Sequence, residues 1–183
     1  PCHRLYSCAL RRSLSVKAIS KDERGIEHID ESKCIQCGAC IHSCPFGAIA
    51  SKTYIVPVIE ALKAGRHVYA MAAPATEGQF GVDITMASWK KAMKEMGFTD
   101  FYDVGLGGDM TAAYEAEEWA EAYKEGNKKV TSCCPAFVNM VRLHYPELAE
   151  CVSTTVSPMC AVSRLIKAKD PEAITVFIGP CVA

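Results

Sequence analysis

Eleven cysteines in a chain of 183 residues are the first chemistry this sequence offers. Four of them lie in the run Cys34-Ile35-Gln36-Cys37-Gly38-Ala39-Cys40-Ile41-His42-Ser43-Cys44-Pro45, a C-x2-C-x2-C-x3-C-P spacing. Thiolates three residues apart can each take one corner of a 4Fe-4S cube, because a tight loop with small Gly38 and Ala39 turns the sulfurs to one side. A zinc site or a group of buried free thiols is the competing use of such residues, and the four-cysteine spacing favours the cube. A second constellation is Thr131-Ser132-Cys133-Cys134-Pro135-Ala136-Phe137. Neighbouring side chains diverge, so the two thiols are expected to do different jobs. A helix starting near Pro135 turns its positive end toward the sulfurs and favours thiolate over thiol. Taken alone, such a pair is more often buried structure. The loop Gly179-Pro180-Cys181 shifts the balance toward function, because it falls on the same predicted sheet edge.

The Cys34 to Cys44 run is that of the bacterial ferredoxins, in which the fourth cysteine ligates the other cluster of a two-cluster domain. A weak internal repeat supports two copies of a small unit: Val16-Lys17-Ala18-Ile19 and Phe46-Gly47-Ala48-Ile49 share an ending thirty positions apart. At that offset, however, Arg4, Ser7, Leu10 and Leu14 stand where the second copy has its cysteines, and Cys2 and Cys8 are out of register. Four alternatives remain open: residues before Pro1 supply ligands, Cys8 serves by a local shift, His3 enters as an imidazole ligand, or only one cluster forms. Cys2 and Cys8 are therefore candidate 4Fe-4S ligands.

The elements that must position these groups follow from hydrophobic periodicity. Residues 1 to about 50 read as a small separate domain. Ile55, Val58, Ile59 and Leu62 fall at i, i+3, i+4 and i+7, so residues 51–65 form a connector helix stopped at Gly65. From residue 66, strand-like and helical runs alternate. Strands are expected at 67–73, 101–104, 130–132 and 174–178, with helices at 83–96, 109–125, 135–144 and 157–168. Such alternation predicts an α/β fold: a mainly parallel four-stranded sheet flanked by helices, behind the small α+β iron-sulfur domain. Ligands of such sheets sit beyond the carboxyl ends of the strands. There Cys133-Cys134 follows the third expected strand and Cys181 the fourth.

Composition narrows the function classes. Twenty Lys and Arg against 21 Asp and Glu leave a net charge of -1, so no basic patch argues for nucleic acid. No stretch reaches the roughly 18 apolar residues of a membrane span, and no signal peptide is read at the start. The expected compartment is the cytoplasm. The chain starts at Pro1 rather than Met and stops just after a Gly-Pro turn, which reads as a piece of a longer protein.

Several of these segments resemble the iron-only hydrogenases. Thr131-Ser132-Cys133-Cys134-Pro135 resembles their first active-site signature, and Pro180-Cys181 the opening of the second. Ala73-Pro74-Ala75, Asp109-Met110-Thr111, Tyr145-Pro146-Glu147-Leu148 and Ser157-Pro158 also resemble family segments, in the family's order. The resemblance implies reversible interconversion of dihydrogen with protons and electrons, at a diiron unit joined through a cysteine to a 4Fe-4S cube. It makes Cys134 and Cys181 ligands of that cube, and Cys133 the thiol that relays protons. Glu115, Glu118 and Ser153 match relay positions, although a solvated helix face is the ordinary reading of Glu115 and Glu118. The implied partners are ferredoxin or another electron carrier, with a chain or segment carrying the third cysteine signature, which is absent here. The lysine of the second signature would be the residue after Ala183.

Phe137 stands where many members have Trp and Met159 where many have Gln, a hint of a divergent, sensory or slow branch. A non-catalytic hydrogenase-like assembly or sensing protein, or an electron-transfer subunit of a split enzyme, are the alternative readings. Cys151 and Cys160 read as core thiols, and His28, His42, His67 and His144 as surface or packing residues. Met71, Met86, Met93 and Met96 read as core filling. Gly105-Leu106-Gly107-Gly108 lacks a full dinucleotide fingerprint and reads as a turn before the Asp109 helix.

Overall fold

A computed structural model describes residues 16–182. Cys2, His3, Arg4, Ser7, Cys8, Leu10 and Leu14, with the expectations attached to them, lie outside the described residues. The described residues divide into two compact units, one of residues 16–52, 134–152 and 182, the other of residues 53–133 and 153–181.

In the first unit, β1 (Ile19–Lys21) and β2 (Glu27–Ile29) form an antiparallel hairpin, with Ser20 opposite His28. The turn between them is tied by Asp22, whose carboxylate accepts the N–H groups of Arg24 and Ile26 at 2.9 and 2.8 Å. After the cysteine loop comes the short helix α1 (Ala39–Ser43). Much later in the chain the ten-residue helix Pro135–His144 and a 3-10 turn, Pro146–Cys151, complete this unit.

The second unit is built on three parallel strands, β3 (Val68–Ala72), β4 (Asp100–Asp103) and β5 (Ile174–Ile178), in the order β4-β3-β5. In the register, Ala70 pairs with Phe101 on one side and Val176 on the other. Alternation along β3 sends Val68, Ala70 and Ala72 to one face, where they bury against α2 (Ile55–Lys63) and α3 (Met86–Glu95) with Met93, Phe98 and Phe101. Met71 points to the other face, against Val104, Val162, Ile166 and Ala173. The central strand is thus apolar on both sides, as expected of a parallel strand covered by helices on both faces.

Two helices frame the polar residues of interest. Helix α4 (Gly105–Lys124) starts where Asp103 accepts the Gly105 N–H at 2.8 Å. Taking the helix of Pro135–His144 as α5, the last helix is α6 (Pro158–Lys169), with Pro158 in its first turn and Ser157 as its N-cap, whose hydroxyl accepts the Cys160 N–H at 3.4 Å. Helices α4 and α6 pack closely: a Cβ added at Gly107 would lie 2.2 Å from the Pro158 carbonyl oxygen.

Two expectations need correction. The sheet has three strands, not four: at residues 130–132 only Val130 makes a single bridge, its carbonyl accepting the Ser153 N–H at 2.8 Å. The ladder goes no further because Thr131 and Ser132 turn their hydroxyls to Glu115 and to the Thr155 carbonyl, leaving one apolar residue where a strand needs several. The Gly105 to Gly108 segment is not a turn but the first turn of α4, made possible by the Asp103 contact and by the close approach at Gly107.

Candidate functional site

The cysteine loop of the first unit surrounds a cavity of about 230 Å³ lined by Cys34, Cys37 and Cys40 together with Ala18, Ile19 and Ile35. Two residues of this loop adopt positive φ, Gln36 at 61° and Gly38 at 74°, and these bends carry the three thiols around one space. Gly38 must be glycine on two counts. Its φ disfavours a side chain, and a Cβ there would lie 1.9 Å from Val182 Cγ2. Burial, and after it the neighbouring Cys34 sulfur, push the Cys40 thiol up from its ordinary range. Cys44 sits differently: the N–H groups of Ala48 and Phe46, with those of Ile49 and Gly47, bring its thiol down.

Helix α5 braces this loop within the same unit. Asn139 Nδ2 donates to the Ile35 carbonyl at 3.5 Å, and His144 Nε2 lies 3.1 Å from the Lys33 carbonyl oxygen. Cys134 is the N-cap of α5, at the positive end of a ten-residue helix, and is exposed.

Three thiols around one largely apolar cavity are a donor set that fits a 4Fe-4S cube, with each sulfur able to hold a separate corner. Among the described residues no three His, Cys, Asp or Glu side chains converge on a single ion point. A cube does not ask for that.

In the second unit, Glu115 and Glu118 lie three residues apart on α4 and face a cavity of about 320 Å³ shared with Trp119, Lys129, Thr131 and Ser153. Glu115 Oε1 accepts the Thr131 hydroxyl at 2.8 Å and the Ser132 N–H at 3.2 Å. Glu118 accepts the Ser153 hydroxyl at 2.5 Å and the Thr154 N–H at 3.1 Å, and is also bonded to the Thr154 hydroxyl. Ser153 is buried, and its hydroxyl takes the Thr155 N–H at 3.0 Å. These donors, Ser153 first and Thr154 second, hold the Glu118 carboxyl below its usual value of 4.5.

A lowered folded pKa means that the Glu118 contribution to stability is complete above about pH 4.5 and is lost as pH falls through the lowered value. Ser153→Ala is expected to move that pKa back up toward 4.5, read by a carbon NMR titration of the Glu118 carboxyl. An unchanged titration would show that Thr154 and Lys129 set it without Ser153.

Cys133 and Cys181 are both exposed, and the Cys133 N–H donates to Thr131 Oγ1 at 3.3 Å. Cys151 and Cys160 are half-buried. His28 lies 3.2 Å from the Ser20 hydroxyl, and His67 pairs with Asp170 at 2.8 Å, away from the cysteines in sequence and in partners. The sequence reading did not single out Asn139, Thr154 or Lys129, nor the contact His144 makes. The adjacent hydroxyls of Ser153-Thr154-Thr155 were the one available signal. Asn139 and His144 act on residues more than a hundred positions away, which no local pattern announces.

Residues 27–50 match the 4Fe-4S binding domain family, so this is an iron-sulfur protein with a 4Fe-4S cluster as cofactor. Residues 66–183 match the family described as iron only hydrogenase large subunit, C-terminal domain. The chain belongs to the iron-only hydrogenase family, among the oxidoreductases. It is similar to the NADP-reducing hydrogenase subunit HndD of Solidesulfovibrio fructosivorans, at 26% identity over 85% of this chain and 31% of that protein. Iron hydrogenase 1 of Clostridium pasteurianum is 31% identical over 75% of this chain and 27% of its own length. The periplasmic [Fe] hydrogenase large subunit of Nitratidesulfovibrio vulgaris is 32% identical over 88% of this chain and 51% of its length. The chain thus spans between about a quarter and a half of these relatives. No helix among the described residues is long and apolar enough to cross a membrane.

Proposed function

We propose that this chain holds the electron-entry cluster and part of the active-site pocket of a hydrogenase that interconverts dihydrogen with two protons and two electrons. The observation that carries the reading is the set of acid, base and hydroxyl groups beside the Cys133 loop. Glu115, Glu118 and Ser153 share one cavity, and Thr131 links Glu115 to the Cys133 backbone. Proton movement through a protein interior needs such closely spaced groups.

Residues 1–50 form the ferredoxin-like domain in this proposal, 51–65 the connector and 66–183 the first lobe of the catalytic domain. Cys34, Cys37, Cys40 and Cys44 hold a 4Fe-4S cluster, with Cys2 and Cys8 as candidate ligands of a second. Cys134 and Cys181 are assigned to the active-site cube, a role that suits two soft, exposed thiols. When bound, the diiron unit supplies the centre at which the H–H bond is made and broken. The Cys133 thiol exchanges a proton with that pocket, and Glu115, Ser153 and Glu118 pass it to or from solvent. Electrons enter from ferredoxin or a similar carrier in the cytoplasm, the compartment this proposal favours although one relative is named as periplasmic.

Infrared spectroscopy of the complete, anaerobically matured protein tests this. Bands of iron-bound CO and CN are expected. A protein that binds 4Fe-4S iron but shows neither band would be a non-catalytic relative, and the proposal would fall.

A further inference from the structure

We propose that Thr131 is the positioning residue of the Cys133 thiol, fixing the backbone that carries it to the carboxylate of Glu115. This rests on the functional reading above.

A hydroxyl has one proton to donate and lone pairs to accept with. Thr131 donates its proton to Glu115 Oε1 at 2.8 Å and accepts the Cys133 N–H at 3.3 Å. A backbone N–H can only donate, so the Thr131 oxygen accepts from Cys133 and its own proton is left for Glu115: the carboxyl group orients the hydroxyl, and the hydroxyl holds the amide of the thiol-bearing residue. Glu115 is in turn anchored in α4, and the loop is held from its other side by Ser132, whose hydroxyl donates to the Thr155 carbonyl at 2.5 Å. The Ser132 N–H also reaches Glu115, so loss of the Thr131 hydroxyl alone leaves the loop attached. What is lost is the restraint on Cys133. Misplacement by a fraction of an ångström is enough to slow a step that depends on close approach.

Thr131→Val keeps the β-branched shape and removes both bonds, whereas Thr131→Ser keeps the hydroxyl. In the complete, iron-loaded protein, Thr131→Val is expected to retain iron content and the CO and CN bands, to leave KM for dihydrogen unchanged, and to lower kcat about ten- to a hundredfold. Thr131→Ser should recover most of that loss. In the 183-residue chain, NMR-detected hydrogen exchange at the Cys133 amide should speed up in Thr131→Val and return to the native rate in Thr131→Ser. The proposal is overturned by native kcat in Thr131→Val, by a serine variant as slow as the valine one, or by unchanged amide exchange. If the unaltered protein shows no CO or CN bands, the functional reading fails by itself, and the amide exchange alone decides whether Thr131 positions Cys133.

Discussion

Gly107→Ala is expected to destabilise the chain by about 2 kcal/mol, the middle of the range for forcing extra atoms into a packed contact. Helix propensity alone argues the opposite, since Ala is favoured over Gly in a helix interior by about 1 kcal/mol. Sterics override it here. The new Cβ would meet the Pro158 carbonyl oxygen at 2.2 Å, the Pro158 carbonyl carbon at 2.8 Å and Val162 Cγ2 at 2.8 Å. Two of those atoms are backbone in the first turn of α6 and cannot swing aside as a side chain does. The neighbouring Gly108 has nothing within 4 Å of a Cβ, so Gly108→Ala should be neutral or stabilising by up to about 1 kcal/mol. Urea denaturation of the two variants separates these effects. A Gly107→Ala chain as stable as the parent would show that α4 and α6 do not need this close approach.

The second large effect concerns the adjacent cysteines. Cys134→Ser in the complete protein should lower active-site iron, because a serine oxygen is a poorer ligand for iron than a thiolate. Cys133→Ser should retain that iron and lose about a hundredfold or more of turnover, the scale of a missing general acid or base. The two residues are held differently. Cys133 is tied through its N–H to Thr131, while Cys134 caps α5, whose Asn139 bonds the loop of Cys34 and Cys37. Iron analysis and turnover measured together decide the matter. Equal iron loss in both variants would end the division of labour.

Much of this architecture was legible in the sequence where punctuation was strong. The strand at Ile174–Ile178 and the helix at Pro135–His144 lie where the sequence reading put them. The first is bounded by Asp170-Pro171 and Gly179-Pro180, and the second opens on a proline. The helix at Gly105–Lys124 begins four residues before the expected Asp109, because four residues with three glycines suggest a turn to any local rule. Its start is decided by the Asp103 carboxylate and by packing against α6. Val130 to Ser132 misled in the opposite sense. A β-branched pair reads as strand, yet the hydroxyls of Thr131 and Ser132 found side-chain and loop partners instead. The spacing of the four cysteines reads as a 4Fe-4S loop, and residues 27–50 match a 4Fe-4S binding domain, whereas the bracing of that loop by Asn139 and His144 depends on a helix a hundred residues away.

The bend at Gln36 has an electrochemical consequence. The Gln36 N–H donates to Cys34 Sγ at 3.4 Å, beside a cavity of largely aliphatic groups. Amide dipoles aimed at a sulfur favour the reduced, more negatively charged cluster, and aliphatic surroundings disfavour it. A cluster held through Cys34 would therefore accept an electron at a less negative reduction potential than the same cluster with only aliphatic groups about its sulfurs. The positive φ of Gln36 would act as a voltage setting.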